Sequence, residues 1–158
     1  MISLLVCLQL LSVAGLPSSH RAEALEVCRA VADEAQAQGV DPALATALSF
    51  HESRLSWNAT SRAGAVGPLQ ILPRWSSCDS TARGCQLWQG VAHLAGWLKR
   101  TPTEREAIGR YNAGYRTPLP EKTTRWAGAV INLANKIRGN RCCLLYTSDA
   151  ADELLCVD

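Results

Sequence analysis

The sequence predicts a mainly α single domain of about five helices with a long irregular loop, on three observations. Apolar residues recur at helical spacing in five stretches, no stretch reads convincingly as a strand, and the composition from Leu55 to about Cys85 turns to Ser, Gly, Pro, Asn and Thr. The chain's 158 residues, 47% of them hydrophobic and 19% charged, suffice for one domain with a real core.

The first helix is expected from about Ser19 to Gln38, with Leu25, Cys28, Ala32 and Ala35 on one face and Gly39 placed to end it. The second opens at Asp41-Pro42, an N-cap residue followed by proline at the first helical position, and runs to about Arg54. The irregular stretch follows, with one short helical turn expected near Gln70; a loop of that length inside a compact domain usually carries function. Leu87, Val91, Leu94 and Leu98 stripe a third helix over about 87–99, and Thr101-Pro102-Thr103-Glu104 opens a fourth that stops at Gly114. Trp126, Val130, Leu133 and Ile137 mark a fifth over about 124–138.

Two segments stand apart. Residues 2–16 are an apolar run too short to cross a bilayer comfortably, with Ser12 and Ala14 as small residues ahead of a cleavage point, so 1–16 is assigned as a signal peptide. The Leu-Leu-Val before Cys7 lacks the small residue that precedes a lipidated cysteine. Residues 142–158 hold three cysteines and no basic residue after Cys142, resemble the translation of a sequencing adapter, and are set aside as a non-native tail. The domain is placed at 19–140. Export implies an oxidising compartment, in which Cys78 and Cys85 form the obvious pair; their eight-residue loop would contribute roughly 2 to 3 kcal/mol. The partner of Cys28 stays open.

The formal charge of +2 conceals an asymmetry: 16 basic against 10 acidic residues give +6 up to Arg141. A mildly basic body favours anionic polymers, but no basic run or aromatic-interleaved basic stripe marks a nucleic-acid face. Five of the nine aromatics are Trp, suited either to lining a carbohydrate groove or to anchoring the core. The C-x6-C spacing has no second Cys/His cluster and gives no zinc site. His51 and His93 read as helix-surface or groove-rim residues.

Glu52 carries the chemistry. It stands near the negative end of the second helix, flanked by Leu48 and Leu55, and both surroundings disfavour the carboxylate form. A carboxyl that keeps its proton near neutrality suits the general acid of glycosidic cleavage. Asp79, Glu104 and Glu106 are poor candidates for a second carboxylate, the first lying in the cysteine loop and the others serving a helix start.

Four boxes in order give a family resemblance over about residues 25–138. Glu52-Ser53, Ala59-x-Ser61, Gly64-x-x-Gly67-Pro68-Leu69-Gln70 followed by Pro73, and Tyr111-Asn112-Ala113-Gly114 resemble the soluble lytic transglycosylase (SLT) family with its goose-type lysozyme-like catalytic domain. The resemblance implies a lysozyme-like fold in which the long loop forms the substrate groove. It implies Glu52 as catalytic residue and Ser53, Ser61, Gly67, Gln70, Tyr111 and Asn112 as substrate-binding residues, with a helix C-cap as the alternative role for Asn112. It also implies cleavage of the MurNAc-GlcNAc β-1,4 bond of peptidoglycan, with Glu52 serving as acid and then as base while a 1,6-anhydro ring closes. No metal or cofactor is expected. The expected partners are peptidoglycan strands, a cell-envelope secretion or conjugation machine is a further candidate, and the protein is expected to be a periplasmic or secreted monomer. A hydrolytic muramidase and a non-catalytic peptidoglycan-binding domain are the alternatives. Pro68-Leu69 replaces the family's Leu-Met, Arg110 stands where a small residue is usual, and Lys122 replaces an acidic position, departures that bear on substrate preference.

Overall fold

The structure, a computed structural model, describes the backbone of residues 2–144 and the side chains of residues 3–139. Its α-helices are α1 (Ile2–Val13), α2 (Arg21–Ala37), α3 (Pro42–Ser53), α4 (Arg83–Leu98), α5 (Glu104–Ala113) and α6 (Glu121–Leu144). No strand longer than isolated bridges occurs among the described residues. The last five helices are those the periodicity predicts, within a few residues at each end. α6 extends past the expected limit in both directions, and the segment set aside as a tail lies outside the described residues from 145 onward.

α3 is the centre of the molecule. Every residue from Ala43 to Phe50 is buried, because α3 packs on α1, α2 and α6. Asp41 caps it by accepting the Ala43 N–H at 3.0 Å, and Pro42 occupies the first turn, where its missing N–H costs nothing. The same Asp41 receives Arg138 of α6 at 2.6 Å, and Arg138 also reaches Glu104 at 2.8 Å, so one guanidinium ties the starts of α3 and α5 to α6. α5 is capped two residues later than the Thr101-x-x-Glu104 box predicts, by Thr103 accepting the Glu106 N–H, while the Thr101 hydroxyl donates back to the Trp97 carbonyl; the helix packs between α4 and α6. These ties fix the start of α3, the end opposite Glu52.

The segment assigned as a signal peptide is α1. Its Val6, Cys7 and Leu10 are fully buried against the bundle, whereas Leu4, Leu8 and Val13 remain exposed. Cys7 is bonded to Cys28 of α2, which supplies the partner the sequence left open, and Ser3 is hydrogen-bonded to Asp33. Cleavage after Ala14 would leave that disulfide as the only covalent link between α1 and the rest of the described residues. No described helix is long and apolar enough to cross a membrane.

The long loop between α3 and α4 is more ordered than its composition suggests. Val66 forms antiparallel bridges to both Thr60 and Ile71, and the expected helical turn near Gln70 is absent. Gly67 at φ +77° and Gln70 at φ +49° instead make a tight reversal, closed by the Gln70 N–H on the Gly67 carbonyl, that returns Ile71 to Val66. A 3-10 turn appears just beyond, at Pro73–Trp75. The loop lies flush on α4 because Gly90 has no side chain: a Cβ there would fall 2.5 Å from Leu69.

Candidate active site

α3 ends at Ser53, and Arg54 and Leu55 both adopt positive φ, which turns the chain sharply away from the helix end. This leaves Glu52 half-buried in the last turn. Burial pushes its carboxyl from 4.5 up to about 7, and no charged neighbour contributes. The partial negative charge at a helix C-terminus acts in the same direction.

Tyr111, in the last turn of α5, is brought beside it. Its phenol donates to the Leu69 carbonyl at 2.6 Å, which joins α5 to the loop reversal. Burial holds that phenol well above its usual range, and the Glu52 charge raises it further, so the two side chains are electrostatically coupled. A cleft of about 190 Å³ is lined by Gln70, Leu72, Trp75, Gln89, His93 and Tyr111, and Glu52, which is not among its lining residues, is linked to it through Tyr111. Gln70 therefore sits where the sequence expects it. Both hydrogens of its amide are engaged, with the Ala59 and Gly67 carbonyls at 3.2 and 3.0 Å, which leaves the side-chain oxygen as the acceptor available to a ligand.

Other expected contact residues are committed to the scaffold. Ser53 Oγ lies 2.9 Å from the Pro68 carbonyl and 3.0 Å from that of Ser49, and Ser49 Oγ also reaches the Pro68 carbonyl at 3.0 Å. Ser53 therefore anchors the loop. Proline is accommodated at 68 because the loop is held there through its carbonyl. Ser61 accepts the Ala65 N–H at 3.0 Å and braces the turn, with its own hydroxyl proton uncommitted. Gly67 is required by close approach: a Cβ would meet Gln86 Oε1 at 2.3 Å. Asn112 is exposed on the rim and accepts weakly from the Thr123 hydroxyl at 3.4 Å, while Gly114 caps α5 through its N–H on Arg110. Arg110 directs its charge to the Arg116 carbonyl and to Glu106, and so spends it on the loop after α5.

Three cleft residues escaped the sequence reading as contacts. Trp75 is 73% exposed at the edge, where the Trp content was the only hint. Gln89 holds it there, donating to the Trp75 carbonyl at 3.0 Å and accepting from Ser76 and Ser77 at 3.0 Å each; nothing in the sequence marked that glutamine. The expected Cys78–Cys85 disulfide closes the same corner. His93, placed at the rim by its helix position, packs edge-on against Tyr111 with ring centroids 4.8 Å apart.

This geometry has a counterpart among known families. Residues 29–84 match the family model of the Transglycosylase SLT domain. The SLT match runs from α2 to the start of α4, so it includes Glu52, the loop reversal and Gln70, and it agrees with the resemblance read from the motifs. Tyr111 and Asn112 lie beyond the SLT segment; Tyr111 joins it in three dimensions through the Leu69 carbonyl, whereas Asn112 meets Thr123 of α6. No curated protein and no solved structure matches the chain.

Proposed function

We propose that the protein is a lytic murein transglycosylase that cleaves the MurNAc-GlcNAc β-1,4 bond of peptidoglycan and forms 1,6-anhydro-MurNAc. The observation that carries the proposal is a half-buried carboxyl, held near neutrality by burial and interacting with Tyr111, a residue that lines an aromatic cleft. Protonated Glu52 donates to the glycosidic oxygen as the C1–O bond breaks and the GlcNAc 4-hydroxyl departs. The resulting carboxylate takes the proton from the MurNAc C6 hydroxyl, whose oxygen closes on C1. The acid is thereby restored and no water is consumed. A value near 7 serves both halves of the cycle, because donation and acceptance are then comparably easy.

Tyr111, neutral at any physiological pH, shields this carboxyl from water, and Gln70 and Trp75 offer the acceptor and the flat apolar face that a pyranose ring requires. A peptidoglycan substrate is met outside the cytoplasm, and the proposal is of a periplasmic or secreted enzyme acting as a monomer. In this proposal the 1–16 segment carries its export leader, cut after Ala14 in the irregular stretch that follows α1. Peptidoglycan strands are the partner, and a cell-envelope secretion or conjugation machine is a candidate recruiter.

The test is digestion of purified sacculi followed by mass spectrometry of the released muropeptides. Anhydro products, lighter by one water than hydrolytic ones, support transglycosylation; reducing-end products would assign a muramidase instead. Glu52→Gln is expected to abolish release while binding to sacculi persists. Undiminished release by that variant would refute the assignment.

A further inference from the structure

We propose, resting on the reaction above, that Glu23 and His20 are positioning residues: from the start of α2 they brace a strained turn directly after Glu52 and so keep the acid on a formed helix end. Arg54 and Leu55 both stand in the left-handed region, at φ +57° and +61°. Neither is glycine or asparagine, and Leu55 is fully buried, so each conformation persists only where its surroundings over-determine it. α3 itself supplies one hold, the Arg54 N–H on the Phe50 carbonyl at 2.9 Å. The others come from the start of α2. The His20 ring lies 2.8 Å from the Arg54 carbonyl through Nε2; a carbonyl only accepts, so Nε2–H donates. Glu23 Oε1 accepts the Ser56 hydroxyl and the Trp57 N–H, each at 3.0 Å. Nδ1 of His20 lies 3.4 Å from the second Glu23 oxygen, which joins the two braces.

The brace continues along α2. Glu26, three residues after Glu23 and so on the same helix face, accepts the Trp57 indole N–H at 3.0 Å. It also receives Arg83 at 3.0 Å, whose guanidinium stands 4.6 Å from the Trp57 ring centroid. The chain that leaves α3 is therefore caught on an acidic face of α2 within four residues of the acid. Glu52 is the second-last residue of α3, in the turn whose carbonyls have no further helical N–H to accept. Without the braces, Arg54 and Leu55 relax to negative φ, the last turn of α3 opens, and water reaches the Glu52 carboxyl. A glutamate in the first turn of a helix ordinarily serves the helix dipole; the contacts of Glu23 with the chain beyond Arg54 give it this second task.

The test uses the full-length protein and measures the Glu52 carboxyl titration by ¹³C NMR and initial rates on sacculi across pH. Glu23→Ala is expected to lower the Glu52 titration by about one pH unit. The protonated fraction at pH 7, and with it kcat there, then falls about fivefold with KM unchanged. Glu23→Gln keeps an oxygen that accepts both donors and is expected to recover most of the loss. Glycine adopts positive φ without strain, so Arg54→Gly added to Glu23→Ala is expected to relieve it as well, with Arg54→Gly alone completing the cycle. A brace that contributed only stability would leave the titration in place. Glu23→Ala with the Glu52 titration unaltered, or with a downward shift as large in the Arg54→Gly background as in the wild type, would overturn the proposal. If the wild type releases no muropeptide and Glu23→Ala still lowers the titration, the bracing role stands and the proposed reaction falls. Should Glu23→Ala fail to fold, His20→Phe, which removes the bond to the Arg54 carbonyl, decides on the same titration: a downward shift supports the proposal and an unaltered value overturns it.

Discussion

Glu52→Gln should make the protein more stable at pH 8 and leave the difference smaller the more acidic the solution. The folded protein holds the carboxyl at about 7 against an ordinary 4.5, through burial. At ~1.4 kcal/mol per pH unit, that gap corresponds to about 3 kcal/mol. The sign follows from proton counting. Between pH 4.5 and 7 the folded state binds more protons at this site than the unfolded state, so stability falls as pH rises through that window. Below 4.5 both states are protonated and the charge costs nothing; above 7 both are ionised and the full penalty applies. Glutamine fills the same volume and never ionises. Urea titrations of both proteins at pH 4, 6 and 8 should therefore show the advantage of Glu52→Gln growing by about 3 kcal/mol from the lowest to the highest pH, whatever constant offset the amide introduces. A difference independent of pH, or one that shrinks toward pH 8, would show that the carboxyl titrates normally and cannot serve as the resident acid.

The remaining expectations follow from the same geometry. Turnover of sacculi should decline as pH rises through about 7, because the population of protonated Glu52 declines there; a profile flat to pH 9 would contradict this. Trp75→Ala removes an exposed platform outside the bundle, and should raise KM about tenfold or less with kcat and thermal stability little changed. Replacing Cys78 and Cys85 together by serine should lower stability by roughly 2 to 3 kcal/mol and raise KM, since the disulfide and Gln89 jointly hold the Trp75 corner; calorimetry and kinetics on one preparation check both. Protein recovered from the export compartment should begin at Gly15 and contain Cys28 as a free thiol on denaturation. A Cys7–Cys28 linked peptide in a non-reducing map would show that α1 is retained.

The sequence by itself determined the helical class, the α3 cap, the Cys78–Cys85 pair and the carboxyl that burial keeps protonated. Each is written in neighbouring residues: an Asp-Pro start, a short C-x6-C loop, and a glutamate between leucines at a helix end. Composition located the loop but not its shape, because the Gly67–Ile71 reversal depends on Val66 pairing with two strands' worth of backbone and on Gly90 admitting Leu69. Tertiary structure alone decided which side chains reach the cleft. Ser53 and Gln70 have equally good motif credentials, yet Ser53 is spent on the Pro68 carbonyl and Gln70 keeps its oxygen free, a distinction set by where α3 and the loop meet. His93 and Gln89 entered the site for the same reason. Their partners, Trp75 and Tyr111, lie 14 and 18 residues away in sequence, and only the packing of α4 against the loop and α5 brings them into contact.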